Sequence, residues 1–222
     1  MKVVVAAEGE VFDIELEEDL LRKNRELADG NRRLLDRYGV FAVDVMGSIG
    51  SGKTTLIGQI VRRLKGKYRI AAFAGDLTTT IDADRIKAHG ASVIEINTGK
   101  ECHLDANLVR KAIAELDLGK IDLLFIENVG NLICPGEFPL GAHKRMVVIS
   151  VTEGPYMVLK HRYIFVDADV VAINKTDLSE AMNVDPRKLE SDALRVKPSL
   201  KVVHTNGMTG EGVEGVIEAL AF

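Results

Sequence analysis

Residues 47–54 read Gly47-Ser48-Ile49-Gly50-Ser51-Gly52-Lys53-Thr54 and match the pattern G-x-x-x-x-G-K-[ST]. A β-rich apolar run at residues 40–46 precedes the motif, and a helix-like run at residues 55–64 follows it. In that context the pattern is typical of a loop whose backbone N–H groups surround the β-phosphate of a nucleotide. Lys53 is then expected to reach the β- and γ-phosphates, and Thr54 to offer its hydroxyl to Mg²⁺. A plain glycine-rich turn, the alternative, explains the glycines but not the Lys-Thr pair.

The remainder of the chain alternates short β-rich runs with helical patterns. The further strand candidates are residues 69–74, 92–96, 121–126, 146–151, 169–173 and 200–205. This alternation predicts an α/β fold with a mostly parallel sheet and helices on both faces, as in P-loop NTPases. Leucines among many charges at residues 17–38 predict an amphipathic helix outside the nucleotide core. We therefore expect an N-terminal extension at residues 1–38 and a P-loop domain at residues 39–222.

A second motif, Asn174-Lys175-Thr176-Asp177, follows one of the predicted strands. It therefore shares with the first motif the edge at which open α/β sheets bind ligands. The Asp177 carboxylate is suited to accept hydrogen bonds from N1–H and the N2 amino group of guanine, a donor pair that adenine lacks. Because an unpaired buried acid costs about 1–3 kcal/mol, the motif predicts GTP rather than ATP. Asn174 is expected to brace the loops and the Lys175 stem to lie over the base, whereas an ordinary polar turn is the alternative.

A third segment, Thr205-Asn206-Gly207, follows the last predicted strand and is placed to close over guanine with backbone N–H groups, although a plain turn is equally compatible with it. The predicted nucleotide contacts are thus Gly47, Gly50, Ser51, Gly52, Lys53, Thr54, Thr55, Asn174, Lys175, Asp177, Thr205, Asn206 and Gly207.

Acidic side chains at two strand ends are candidates for holding Mg²⁺ near the γ-phosphate. Glu127 ends the apolar run at residues 121–126, and Asp76 follows the run at residues 69–74. The predicted catalytic set is therefore Lys53, Thr54, Asp76 and Glu127, with Thr54, Asp76 and Glu127 on Mg²⁺. Residues 78–80 with Asp82 are candidates for a loop that senses the γ-phosphate. The chain's one glutamine, Gln59, lies inside the helix after the loop, so no glutamine is placed to orient the attacking water, and slow unaided hydrolysis is expected.

The overall composition excludes several classes of protein. Hydrophobic residues make up 46% and charged residues 28% of the 222, as in soluble globular proteins. The net charge of −4 supplies no basic footprint for nucleic acid. No run approaches the roughly 20 apolar residues of a membrane span, and residues 1–5 are too short for a signal peptide. We therefore expect a cytoplasmic protein without nucleic-acid or membrane partners.

Cys102, His103 and Cys134 are the remaining residues with distinctive chemistry. The two cysteines do not form a secreted disulfide framework. Three nitrogen and sulfur ligands suit Ni²⁺ or Zn²⁺, but a structural zinc site has four protein ligands. One chain therefore supplies one ligand too few. Two subunits facing each other would supply six ligands for shared sites. The alternative is two small buried cysteines and an exposed histidine.

With these motifs in view, the chain resembles the hydrogenase nickel-incorporation GTPases of the HypB family, in the SIMIBI class of P-loop proteins. The resemblance covers roughly residues 20–222, and it is carried by residues 47–54, 75–85, 101–105, 127–135, 174–177 and 205–212. It implies a GTP-regulated homodimer that works with hydrogenase maturation proteins and passes Ni²⁺ toward the hydrogenase large subunit. Related urease nickel GTPases carry Cys-Pro-His where this chain reads Cys134-Pro135-Gly136, which argues against that sister function.

The chain departs from the family in two respects. Residues 1–40 contain no Cys or His, so the N-terminal nickel motifs of some members are missing here. The phosphate-binding loop also lacks the extra lysine of many SIMIBI ATPases, so no lysine is expected to cross to the partner's phosphates. Two hypotheses compete with a metallochaperone GTPase: a GTP switch with structural zinc that recruits a partner without handling nickel, and an ATP-dependent small-molecule kinase, which leaves Asp177 unexplained.

Overall fold

The computed structural model describes residues 14–76, 80–99 and 101–222. Within these ranges the strands are β1 Phe41–Met46, β2 Ile70–Asp76, β3 Ser92–Asn97, β4 Leu123–Glu127, β5 Lys144–Ser150, β6 Val170–Asn174 and β7 Lys201–His204. The helices are α1 Ile14–Tyr38, α2 Lys53–Leu64, α3 Ile81–Lys87, α4 Ala106–Ala114, α5 Cys134–Glu137, α6 Met157–Lys160, α7 Tyr163–Val166, α8 Pro186–Val196 and α9 Val213–Leu220. All seven predicted strands are therefore confirmed, with ends within two residues of the predicted ones.

The seven strands form one sheet in the order β3-β2-β4-β1-β5-β6-β7, and every neighbouring pair is parallel. β1 is central, and the phosphate-binding motif leaves its carboxyl end. The register pairs Val45 of β1 with Glu127 of β4, and Ser150 of β5 with Asn174 of β6. Glu127 and Asn174 therefore flank the motif from opposite sides.

Helices cover both faces of the sheet because successive strand residues point to opposite sides. Val43 and Val45 pack with α2 and α9 on one face, whereas Ala42 packs with α1 and α4 on the other. A third cluster, around Met46 and Phe165, places α6, α7 and α8 on the same side as α1. The predicted doubly covered sheet is confirmed. No helix among the described residues is both long and apolar enough to cross a bilayer.

The helix α1 packs against this sheet through an unusual face. Its buried positions are Asn24, Ala28, Asn31 and Leu35, which recur at the spacing of one helical stripe. Leu35 lies in the same hydrophobic cluster as Ala42 and Val40, whereas Leu20 is 54% exposed. The helix thus shares a core with the nucleotide-binding sheet, and its inner face includes two asparagines that a leucine pattern does not reveal. The domain boundary at residue 38 stays a prediction.

Candidate nucleotide and metal site

A cavity of about 450 Å³ opens at the carboxyl edge of the sheet. The predicted phosphate-binding loop, the predicted Mg²⁺ residues and the second motif all contribute to its wall, which is lined by Ile49, Gly50, Gly52, Lys53, Thr54, Thr55, Gly75, Asp76, Asp82, Arg85, Glu127, Asn128, Val129, Gly130 and Lys175. The parallel sheet therefore brings segments more than 100 residues apart in sequence into one site.

The phosphate-binding loop has a backbone that only glycine fits. Gly52, immediately before α2, has φ 101°, and a Cβ there would collide with Nδ2 of Asn174. A Cβ on Gly47 would collide with the carbonyl oxygen of Val148. Lys53 folds over the loop, where its Nζ donates to the carbonyls of Gly47 at 3.1 Å and Ser48 at 3.0 Å. Burial lowers the pKa of Lys53, although nearby carboxylates, Glu127 foremost, oppose this.

The predicted Mg²⁺ residues lie together in this cavity. Thr54 donates from Oγ1 to Oε1 of Glu127 at 2.7 Å, which joins the start of α2 to the end of β4. Glu127 is 3% exposed, and burial raises its pKa to about 7 against the opposing effects of Lys53 and the Thr54 hydrogen bond. Asp76 ends the neighbouring strand β2 and lines the same wall. A hydroxyl and two carboxylates form a hard-oxygen set that fits Mg²⁺.

The predicted γ-phosphate loop is described only in part. Thr78 and Thr79 lie outside the described residues. Asp82, in the first turn of α3, lines the cavity and pairs with Arg85 at 3.3 Å. Arg85 also donates to Oγ1 of Thr55 at 2.8 Å, so α3 touches the start of α2 directly.

The expectation that Asn174 braces the loops is confirmed. Its Nδ2 donates to the carbonyl of Ser51 at 2.8 Å. Its Oδ1 accepts from the backbone N–H of Gly207 at 2.9 Å and from Oγ1 of Thr205 at 3.1 Å. One buried carboxamide therefore ties the phosphate-binding loop to the loop after β7.

The next residues of the motif, Lys175 and Asp177, lie where the chain leaves β6. Lys175 has left-handed backbone geometry, with φ 61°, and lines the cavity. Asp177 is exposed, two residues farther on, in a 3₁₀ turn. Its contact with guanine stays a prediction.

The loop after β7 uses most of its backbone donors internally. Gly207 donates to Asn174, while the N–H groups of Met208 and Thr209 both donate to Oδ1 of Asn206. Gln59 of α2 also binds this loop, because its Nε2 donates to the Gly207 carbonyl at 2.9 Å. The side chain of the chain's one glutamine is therefore bound to this loop, and the expectation that it does not orient the attacking water stays a prediction. A base contact by the segment from Thr205 stays a prediction, but the Gly207 N–H is already used.

The structure also brings Cys102, His103 and Cys134 together. Their ligand atoms all lie within 4.8 Å of one another, about the span of two metal–ligand bonds of ~2.3 Å. The two sulfurs are 3.0 Å apart, and the Cys102 sulfur is 3.9 Å from Nδ1 of His103. Cys102 is exposed, while the ring of His103 stacks on Phe138 with a centroid distance of 4.0 Å. The hydrogen bond with the neighbouring Cys102 thiol raises the pKa of Cys134, so a metal ion must displace a thiol proton in order to bind this pair.

Sequence reasoning missed the residue that links the two sites. Asn128, directly after Glu127, accepts at Oδ1 from the backbone N–H of Leu104 at 3.0 Å, and its Nδ2 donates to Asp44 at 3.3 Å. Leu104 follows His103, so one side chain connects the end of β4 to the cysteine–histidine segment. An asparagine directly after a predicted Mg²⁺ acid at a strand end was the available signal.

Gly130 is a second missed residue. It lies against the phosphate-binding loop, where a Cβ would collide with the Ile49 side chain and lie 3.0 Å from its Cα and N atoms. An isolated bridge between Gly47 and Asn131 continues this contact. The segment between Glu127 and Cys134 therefore runs along the phosphate-binding loop before it reaches the cysteine.

Comparisons with known proteins identify the relatives of this chain. Residues 41–204 match the family model described as "CobW/HypB/UreG, nucleotide-binding domain". A "Probable hydrogenase maturation factor HypB" from Methanocaldococcus jannaschii is 53% identical over 205 residues, which are 92% of this chain and 93% of the relative. The crystal structure of hydrogenase maturation factor HypB from Archaeoglobus fulgidus has a TM-score of 0.84 and 43% identity, covering 90% of this chain and 97% of the other. That of HypB from Helicobacter pylori in complex with nickel has a TM-score of 0.84 and 35% identity, covering 89% and 93%.

Proposed function

Because this chain belongs to the CobW/HypB/UreG family of nucleotide-binding proteins, we propose that it is a GTP-hydrolysing metallochaperone that delivers nickel during maturation of a nickel-iron hydrogenase. The observation that carries the proposal is the meeting of Cys102, His103 and Cys134 within 4.8 Å, on segments that leave the nucleotide-binding edge of the sheet. The nickel complex of the Helicobacter pylori relative supports the same metal for this cluster.

The choice of GTP rests on Asp177 and its support. Asn174 fixes the start of the motif through three hydrogen bonds, and the left-handed Lys175 lets the chain turn so that Asp177 follows on the exposed side. A carboxylate at that place pairs with two guanine donors and leaves adenine unmatched.

The hydrolysis of GTP is assigned to groups already in contact. Glu127 and Thr54 share a hydrogen bond, and Asp76 lines the same wall, so together they would hold Mg²⁺ on the β- and γ-phosphates. Lys53 would leave the loop carbonyls and pair with the phosphates. Burial lowers its pKa, whereas the negative charge of the phosphates would favour its charged form. With Gln59 bound to the base-side loop, unaided turnover is slow, as suits a timed switch.

The metal is cargo, and the cluster is suited to hold and release it. Two sulfurs and one imidazole leave a fourth position of a tetrahedral site open, and the exposure of Cys102 gives solvent or another chain access to the cluster. We propose that a second copy of the chain, in the GTP-bound state, completes shared sites with bridging thiolates. Hydrolysis would then release the metal toward the maturation partners and the hydrogenase large subunit.

Metal titration in both nucleotide states tests this function. Ni²⁺ and Zn²⁺ are titrated calorimetrically against the GDP form and the GTP-analogue form, and sedimentation follows assembly. Affinities should differ between the two forms by a coupling free energy of about 1–3 kcal/mol, and metal should favour the dimer of the GTP-analogue form. Cys134→Ala should remove the metal response while leaving GTP binding intact, whereas His161→Ala, which alters a histidine outside the cluster, should change neither. Equal affinities and equal assembly states would instead favour the GTP switch with structural zinc.

A further inference from the structure

The helix α1 contacts both segments that carry the predicted metal ligands. One segment runs from Cys102 to the start of α4 at Ala106, and the other from Cys134 to the loop at residues 139–141. The two asparagines on the buried face of α1 lie between them. Asn24 is 6% exposed and Asn31 is 1% exposed.

Each asparagine bonds to both segments at once. Asn24 accepts at Oδ1 from the Ala106 N–H at 2.8 Å and donates from Nδ2 to the Pro139 carbonyl at 2.9 Å. Asn31 donates from Nδ2 to the Ala106 carbonyl at 2.8 Å and to the Leu140 carbonyl at 3.1 Å. Each carboxamide therefore sets the spacing between the same two stretches of main chain.

The helix also touches the second segment directly. Gly141 has φ 95°, and a Cβ there would lie 2.5 Å from the Ala28 carbonyl oxygen, which is in the turn between the two asparagines. Arg32 adds hydrogen bonds to the carbonyls of Gly141, at 3.0 Å, and Ala142. Main chain thus packs on main chain at this point, and the loop cannot shift without moving α1.

Burying these amides is costly without such partners. A buried carboxamide without hydrogen bonds loses about 1–3 kcal/mol relative to a satisfied one, and a leucine at either position of the stripe would bury more apolar surface. The buried face of α1 therefore carries two amides that hydrogen-bond to two loops, at positions where leucines would bury more apolar surface. We propose that Asn24 and Asn31 are positioning residues of the cluster Cys102, His103 and Cys134, and that α1 holds the two thiols close enough together to bind one thiophilic divalent metal ion.

The proposal rests on the proposed function only for the identity of the ligand, so its test includes a readout that needs no metal. In a glutathione buffer, formation of the disulfide between Cys102 and Cys134 releases two thiol protons to two glutathiones as one glutathione disulfide is reduced. The equilibrium constant reports the effective concentration of one thiol at the other. Metal affinity for Co²⁺, followed by thiolate charge-transfer absorbance, and for Ni²⁺ is measured on the same protein.

Asn24→Leu with Asn31→Leu should lower the disulfide equilibrium constant at least about tenfold and metal affinity about 10–100-fold, the range found for residues that orient metal ligands. Affinity for a fluorescent GDP analogue should stay within about twofold. Asn24→Leu alone leaves both hydrogen bonds of Asn31 in place, so it should give a smaller loss and covers the case in which the double variant does not fold. Leu35→Ala is the matched control, because it destabilises α1 on the same buried face without removing a hydrogen bond to either loop.

The outcomes separate the two proposals. If the disulfide constant falls in the asparagine variants but not in Leu35→Ala, the positioning role stands, even where metal binding proves absent and the proposed function fails. If the asparagine variants and Leu35→Ala change the constant equally, or if the native thiols show no raised effective concentration, the positioning role is wrong.

Discussion

Replacing Glu127 by Gln removes a buried acid whose pKa lies at about 7. In the unfolded chain the same acid ionises at its ordinary value of 4.5. Between these values the folded protein binds a proton that the unfolded chain has lost. The contribution of Glu127 to the free energy of unfolding therefore falls as the pH rises from about 4.5 to about 7. Above pH 7 the full loss of stability is present.

The structure sets the size of this effect. The difference between 4.5 and about 7, taken at about 1.4 kcal/mol for each pH unit, gives about 3.5 kcal/mol as an upper limit. Because Glu127 is 3% exposed, solvent screening reduces this little. The Gln variant keeps an acceptor for Thr54 but places an amide where Oε2 lies, an atom with no hydrogen-bond partner among the described residues. The amide at this position lowers the free energy of unfolding of the variant by an amount that does not depend on pH. The quantity to compare is therefore the slope of the free energy of unfolding against pH.

Urea unfolding of both proteins at pH 5, 6, 7 and 8, without nucleotide or Mg²⁺, measures the difference. The native protein should lose about 2–3 kcal/mol relative to Glu127→Gln across this range, most steeply between pH 5 and 7. Other buried acids, such as Glu153, titrate in both proteins and cancel in the comparison. Parallel stability curves for the two proteins would refute the reasoning, since Glu127 would then titrate as an exposed acid. Mg²⁺ binding at pH 6 should likewise release a proton in the native protein.

Three further substitutions test the nucleotide site. Lys53→Ala should weaken binding of a GTP analogue about 10–100-fold, the value of a charge-assisted hydrogen bond, and stop hydrolysis; retained hydrolysis would contradict the phosphate-binding assignment. Asp177→Asn should weaken GTP binding by about 1–3 kcal/mol and admit xanthosine triphosphate in a competition assay, and unchanged GTP affinity would rule out base reading. Asn174→Ala leaves the Ser51 carbonyl and the Gly207 N–H without their partner, so it should lower stability by about 2–4 kcal/mol in urea unfolding, and a loss below about 1 kcal/mol would show that water replaces the brace.

Local patterns were enough to predict the sheet and the placing of its motifs. Each strand is a short apolar run between polar turns, and the five inner strands are buried on both faces, so consecutive apolar residues are enough to identify them. The start of α8 is likewise marked by local residues, because Asp185 is its N-cap, a proline follows, and the Asp185 side chain accepts from the Arg187 N–H at 2.9 Å. The order of the strands required the structure, because pairing partners are not specified by adjacent residues.

The polar side chains that organise the site were harder to predict. Asn174 was expected to brace loops because its motif identifies it, whereas Asn24, Asn31 and Asn128 stand in no motif. Apart from the Asp44 carboxylate, their partners are backbone groups, which every residue carries, so the sequence at the partner position gives little signal. The buried face of α1 was misread for the same reason, since leucine was taken as the marker of burial while amides occupy two of its four buried positions.

The close approach of Gly130 to Ile49 also restricts which residues two distant positions tolerate together. Ile49 is 84% exposed, so by itself it would accept almost any substitution. An alanine at 130 needs a smaller residue at 49, and even then the backbone of residue 49 lies 3.0 Å from the added carbon. Among relatives of this chain, a side chain at position 130 should therefore occur with glycine, serine or alanine at position 49 and with a loop displaced by a few tenths of an ångström.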